Sequence, residues 1–147
     1  MAAYALGEDC PFCRIVRREL AAAIVHEDEE TLALLDLHPA TRGHTLVLPK
    51  RHVEDIFSMP EELGVELMAT AVKVARTLNE RLGLVGLNLV QANGAPAGQT
   101  IFHFHLHLVP RYDGDSVVLR FGHGSKAAEM GELQRLAALL RGEAPRA

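Results

Sequence analysis

Within the largely apolar run from residue 99 to residue 111, histidines recur at every second position over 102–108: Phe102, Phe104, Leu106 and Leu108 fall on one parity, and His103, His105 and His107 on the other. Successive side chains of a strand point to opposite faces, so this pattern predicts a strand with an apolar face for a core and a row of imidazoles opposite it. Two further β-type runs, residues 23–26 and 31–37, flank the acidic turn Glu27-Asp28-Glu29-Glu30 and read as a hairpin. A third strand is predicted over 44–49, ahead of the basic Lys50-Arg51-His52, and a fourth over 86–91. The loop from Asn93 to Gly98 then turns the chain back into the histidine strand.

Helical spacing appears in three places. Phe12, Ile15, Val16, Glu19 and Leu20 predict a short helix over 11–20. Ser58-Met59-Pro60-Glu61 reads as a capping box, and the stripe Leu63, Leu67, Ala71, Val74, Leu78 and Leu82 extends a long helix to Gly83, placed to end it. A last helix is expected at about 126–141 with Leu133, Leu136 and Leu140 on one face, whereas residues 116–125 carry few signals and His123 reads as a solvated loop residue. Five strands in hairpin order, one long helix and no βαβ alternation predict an α+β fold with a five-stranded antiparallel sheet.

Composition narrows the function classes. With 147 residues, 48% of them hydrophobic, the chain is expected to form one domain over 1–147, with a core at about 8–112 and a C-terminal extension. A net charge of −4 gives no indication of a nucleic-acid groove. The first residues lack a basic segment and run into Gly7-Glu8-Asp9, which does not read as a secretory signal, and no apolar run reaches membrane-spanning length. The expectation is a cytoplasmic protein whose two cysteines stay reduced.

Those cysteines stand as Cys10-Pro11-Phe12-Cys13. A redox pair would need a preceding strand, and none is predicted before Cys10. The spacing also suits two zinc ligands, with two more required from elsewhere, or two unlinked thiols packing a helix start. The histidine row leaves a similar choice. Its outer α-carbons would lie about 13 Å apart, so the three rings cannot share one ion. Two neighbours with a third ligand from His44, His52 or a cysteine could build a hydrolytic metal site. Alternatively, one neutral imidazole could attack phosphorus and hold the group as a phosphoramidate, while its neighbours stabilise the phosphate and the leaving group.

His-Phe-His-Leu-His-Leu-Val resembles the histidine triad motif, His-x-His-x-His with apolar interleaving, of the HIT family of nucleotide hydrolases and transferases, most nearly the bacterial-type members similar to the Hint branch. Gly98-Gln99 before the triad, Asp36 at a strand end and the segment from Gly43 to His52 match in order, so the resemblance runs from about Cys10 to Arg111. It implies a HIT-like fold and a catalytic set of His103, His105, His107 and His44, with His105 the nucleophile that becomes adenylated. Gln99 and Thr100 would lie near the leaving group and phosphate, with Asn93 on the same loop. Asp36 would accept from the ribose hydroxyls, and the base would lie against Phe12, Ile15, Leu34 and Leu37. His38 receives no role.

Bacterial-type relatives also imply a structural zinc, here on Cys10, Cys13, His52 and His103, which gives His103 a second task. The activity implied is hydrolysis of AMP-X at the α-phosphate, where X is an amine or a second nucleotide. Leu106, between His105 and His107, argues against the transferase branch that carries His-Pro-His. Two other readings stand beside it: a nucleotide-binding or adaptor protein with incidental turnover, and a zinc-dependent hydrolase. The resemblance further implies a homodimer, and no nucleic-acid polymer or membrane as partner.

Overall fold

The computed structural model describes residues 9–121, 124 and 126–143. Its strands are β1 (Ile24–Glu27), β2 (Thr31–Leu35), β3 (Thr45–Pro49), β4 (Gly86–Val90) and β5 (Leu106–Arg111), and its α-helices are α1 (Pro11–Val16), α2 (Glu61–Leu82) and α3 (Met130–Leu140). The strands form one sheet in the order β1-β2-β3-β5-β4, every neighbour antiparallel. The chain divides into two compact units, Met1–Val117 with the sheet, α1 and α2, and Val118–Ala147 with α3.

The alternation of β2 and β3 makes two cores. Leu32 pairs with Leu48 and Leu34 with Leu46, and these four join Phe12 and Ile15 of α1 on one face. Ala33 and Val47 turn the other way, where Leu63, Leu67, Ala71, Val74 and Leu78 of α2 pack with Val53, Phe104 and Leu108. Both faces being covered, β3 is buried along its whole length, which explains its unbroken apolar run. His107 pairs with Leu46, and directly opposite residues share a face, so β5 delivers its histidine to the α1 side. Asp36 and His44 lie two residues beyond Leu34 and before Leu46, and the same parity sends them there too. Thus α2 braces one face of the sheet and leaves the other for chemistry.

Several expected boundaries shift for local reasons. The first helix stops at Val16 rather than at 20, because Arg18 adopts φ 63° and the Arg18 and Glu19 N–H groups bond back to the Ile15 and Arg14 carbonyls, a Schellman ending. Ser58 does not cap α2. Asp55, in extended conformation, accepts from the Ser58 N–H and closes a 3-10 turn over Ile56–Ser58, so Pro60 is the residue before α2 and brings no side-chain cap. Gly83 does end α2, at φ 64° with its N–H on the Asn79 carbonyl. The last helix begins at Met130, where the Glu129 carboxylate accepts from the Gly131 and Glu132 N–H groups, and Leu133, Leu136 and Leu140 are exposed. Residues 1–8 and His123 lie outside the described residues.

The largest departure concerns the histidine strand. β5 starts at Leu106, and residues 99–105 follow an irregular path instead of a ladder. β3 pairs with β5 over 45–47 and 106–108; its last residue, Pro49, has no N–H to offer a neighbour, and its carbonyl is taken by the His103 ring. Phe104 is held by a bond from its N–H to the Val53 carbonyl at 2.6 Å. Phe104 and Leu108 reach the α2 core as the pattern predicts, whereas Phe102 is half exposed and belongs to neither core.

Candidate active site and metal-ligand cluster

The irregular path separates the triad into two groups. His103 leaves solvent entirely and turns its Nδ1 towards the thiols of Cys10, at 3.4 Å, and Cys13, at 3.5 Å. His52, just beyond β3, places its Nδ1 3.3 Å from the Cys13 Sγ. Cys10 precedes α1 and accepts from the Cys13 N–H, so one turn of helix presents both sulfurs to the same point. The four ligand atoms lie within 4.8 Å of one another. His103 Nε2 lies 2.7 Å from the Pro49 carbonyl, an acceptor, so Nε2 carries the proton and Nδ1 presents its lone pair to the thiols. A ring nitrogen tied to a carbonyl behind a free one is the usual arrangement of a metal-ligating histidine. Two thiols and two imidazoles fit a tetrahedral zinc ion.

His105, His107, His44 and Asp36 form the second group. His105 Nδ1 lies 2.7 Å from the His103 carbonyl and must donate to it, which leaves Nε2 as the lone-pair nitrogen. The Ala40 N–H donates to His44 Nδ1 at 3.0 Å, so neutral His44 carries its proton on Nε2. That nitrogen faces His107 Nδ1 at 2.9 Å and Asp36 Oδ2 at 3.5 Å. His107 Nδ1 is therefore the acceptor, and its Nε2 is a donor. One backbone carbonyl and one backbone N–H thus set three tautomers. Burial lowers the pKa of His44 and His105, opposed in His105 by the His103 carbonyl and in both by the Asp36 charge. His107 is brought down to about 4 by burial and by the neighbouring His105 and His44. His103 also falls to about 4, through burial against the Pro49 carbonyl. At neutral pH the rings are uncharged, as a nucleophile and neutral donors require.

Asp36, His44 and His107 also stand close enough to bind an ion. The Ala40 N–H argues against it, since His44 Nε2 then points a proton at the place where a metal would need a lone pair.

The other expected site residues divide. Phe12 is buried with its ring edge-on to His103 and to His105, at centroid distances of 5.6 and 5.1 Å. Ile15 and Leu34 lie in the same core, and Ile15 lines a cavity of about 270 Å³ with Arg18, Leu20, Ala22 and Ile24. Leu37 stands apart, 87% exposed in the loop after β2. Asn93 and Gln99 organise the loop rather than face open space: the Asn93 carbonyl accepts from the Ile56 N–H, and its amide is paired with Gln91. Buried Gln99 accepts from the Gly94 N–H and donates to the Glu54 and Ile101 carbonyls. Thr100 is exposed beside it. The Asp36 carboxylate, just past the end of β2, accepts from the His38 N–H.

Ala40, Ile24 and the Pro49 carbonyl were not legible as site elements. The first and third act through backbone atoms, which any residue supplies. Ile24, by contrast, pairs with Leu34 in the sheet, and the hairpin register could have revealed it.

The model of the HIT domain matches residues 17–114, and the chain belongs to the HIT family. Protein hit of Bacillus subtilis is 42% identical over 106 residues, 72% of this chain and 73% of that protein. The crystal structure of a zinc-bound histidine triad family protein from Mycobacterium smegmatis superimposes with a TM-score of 0.72 at 40% identity, covering 90% of this chain and 94% of that one. Adenylylsulfatase HINT3 of Arabidopsis thaliana is 34% identical over 110 residues, 75% of this chain and 56% of that protein. Among the described residues no helix is long and apolar enough to cross a membrane.

Proposed function

We propose that the protein is a nucleotide hydrolase that cleaves AMP-X compounds at the α-phosphate through a nucleotidyl-histidine intermediate. The observation that carries this reading is the 2.7 Å bond of His105 Nδ1 to the His103 carbonyl, which directs the Nε2 lone pair out of the His105 ring. His105 Nε2 forms a bond to phosphorus as the P–X bond breaks, the His107 Nε2–H donates a hydrogen bond to a phosphate oxygen, and X leaves with a proton taken from solvent. Water then attacks phosphorus, the P–N bond breaks to restore neutral His105, and the proton lost by the water returns to solvent as AMP departs. His44 holds His107 in the donor tautomer, and Asp36 accepts from the ribose hydroxyls. Phe12, Ile15, Leu34 and Ile24 form the apolar wall for the base, while Asn93 and Gln99 fix the loop that presents Thr100 on the leaving-group side. The adenylylsulfatase relative supports an adenylyl group as the part recognised.

The Cys10, Cys13, His52 and His103 cluster is assigned to a structural zinc. With four protein ligands such an ion contributes folding energy and leaves no open position for water. The zinc-bound relative supports this. Reduced thiols are required for it, which fits a cytoplasmic location. β4 is an edge of the sheet with half-exposed Leu89 upon it, and a second copy covering that edge would give a homodimer.

The test is AMP release from adenosine 5′-phosphoramidate by wild type and by His105→Ala, with folding matched by circular dichroism. The substitution should cost at least about 10³-fold in kcat, the scale of removing a nucleophile. A His105→Ala protein that turns over like wild type refutes the mechanism, and an inactive wild type that still binds AMP favours the adaptor reading. A zinc-dependent hydrolase would instead lose activity instantly and fully with chelator while remaining unchanged in stability.

A further inference from the structure

The metal-ligand cluster and the catalytic group share one residue. His103 gives its ring to the thiols and its carbonyl to His105. They share a second neighbour as well, because Phe12, held between Cys10 and Cys13 on α1, packs its ring edge-on against both imidazoles, with interplanar angles of 84° to His103 and 68° to His105. No ladder bonds stiffen the chain here, since residues 101–105 lie outside the sheet. The ties described are the Phe104 N–H on Val53, the Gln99 amide on the Ile101 carbonyl, and the His103 ring itself. The last of these is held from two sides, by the Pro49 carbonyl at Nε2 and by the cluster at Nδ1.

We infer that the Cys10, Cys13, His52 and His103 cluster positions the nucleophile, the zinc-closed state holding the His103 carbonyl and the Phe12 ring where they orient His105. This rests on the assignment of His105 as nucleophile and of zinc to the cluster. Opening the cluster leaves the His103 ring held by the Pro49 carbonyl alone, the ring can pivot about that one bond, and the acceptor that fixes the His105 ring moves. The His105 ring can then rotate, and its Nε2 no longer points at phosphorus. His103 and Phe12 act through His105, so they are positioning residues. A purely structural zinc, by contrast, would lower stability and leave the His105 ring as it was in every molecule that remains folded.

The experiment compares zinc-loaded protein with protein stripped by a chelator, at one neutral pH and well below the melting temperature. The His105 ring is read by long-range proton–nitrogen correlation and the fold by circular dichroism. Stripping should abolish the signature of a single hydrogen-bonded Nδ1–H on His105. It should also lower kcat by about 10²-fold, the cost of a misplaced reacting group, and added zinc should restore both. A folded, stripped protein whose His105 signature and kcat are unchanged overturns the inference. If stripping unfolds the protein, Phe12→Leu decides, because it keeps all four ligands and removes the ring: beyond the shift that losing an aromatic neighbour imposes, the His105 Nδ1–H should lose its single hydrogen-bonded form and exchange with solvent in the zinc-loaded variant, and a retained, protected Nδ1–H overturns the inference. The ring signature does not depend on turnover, so an active His105→Ala protein would refute the nucleophile assignment without touching this coupling.

Discussion

At the scale of single residues the site works through which nitrogen carries a proton. His44 is held with Nδ1 as acceptor by the Ala40 N–H, and a second proton on that nitrogen would set two donors against each other. His107 likewise accepts at Nδ1 from His44. Both pKa values lie below the ordinary 6.5, that of His107 at about 4, so both rings stay neutral down into the acidic range. The sign of the linked stability follows. Between pH 6.5 and about 4 the unfolded chain binds more protons than the native one, so stability is complete above 6.5 and falls as the pH drops through that window. Thermal unfolding measured from pH 7 to pH 4 should show a falling midpoint, and kcat/KM should hold at neutrality and decline on the acid side. A profile that instead rises towards pH 4 contradicts neutral His44 and His107. His44→Phe fills the volume without donating, and should cost about 10²-fold in kcat while His107 is left without its partner.

At the scale of elements, two backbone positions carry costs that can be measured. Arg18 ends α1 in the left-handed region, which favours glycine, so Arg18→Gly should raise stability by about 0.5–1 kcal/mol in chemical denaturation. The exposed Arg18–Glu27 ion pair lost in the exchange is worth little. Gly43, at φ 87°, lies where a Cβ would come 2.6 Å from the Leu82 side chain at the end of α2. Gly43→Ala should destabilise the protein by about 1–3 kcal/mol, and a neutral result would show that the loop can shift. Element prediction from the sequence succeeded where period and burial agree, as in β2, β3 and α2. It failed in the stretch before Leu106, because alternation reports which way side chains point but not whether a partner strand lies alongside. Phe104 still obeys the parity although its backbone bonds to Val53 rather than to a neighbouring strand. The Ser58 capping box failed for a related reason: Asp55, one turn earlier, accepts from the Ser58 N–H, which Glu61 would have had to take, and from the Ser58 hydroxyl, and the motif alone does not say which acid wins.

At the scale of the whole molecule the sheet separates support from chemistry. α2 and its core hold one face, while the other carries α1, the four-ligand cluster and the His105, His107 and His44 rings in continuous contact through Phe12. The cluster residues Cys13 and His103 have no solvent exposure and Cys10 and His52 are half-buried, so the folded state presents a gathered four-ligand site that an unfolded chain does not. An ion bound to the native state alone adds stability by mass action, about 4 kcal/mol when free zinc stands at a thousand times its dissociation constant. Thermal unfolding with and without chelator should therefore differ by roughly 8–16 °C, given the usual 2–4 °C per kcal/mol for chains near this length. His105→Ala should show the same difference, because the alanine leaves all four ligands and the Pro49 anchor in place. Cys13→Ser should abolish it. If chelator leaves the wild-type midpoint unmoved, the cluster is a packed set of thiols and imidazoles rather than a metal site, and the order of the catalytic face comes from the core around Phe12 alone.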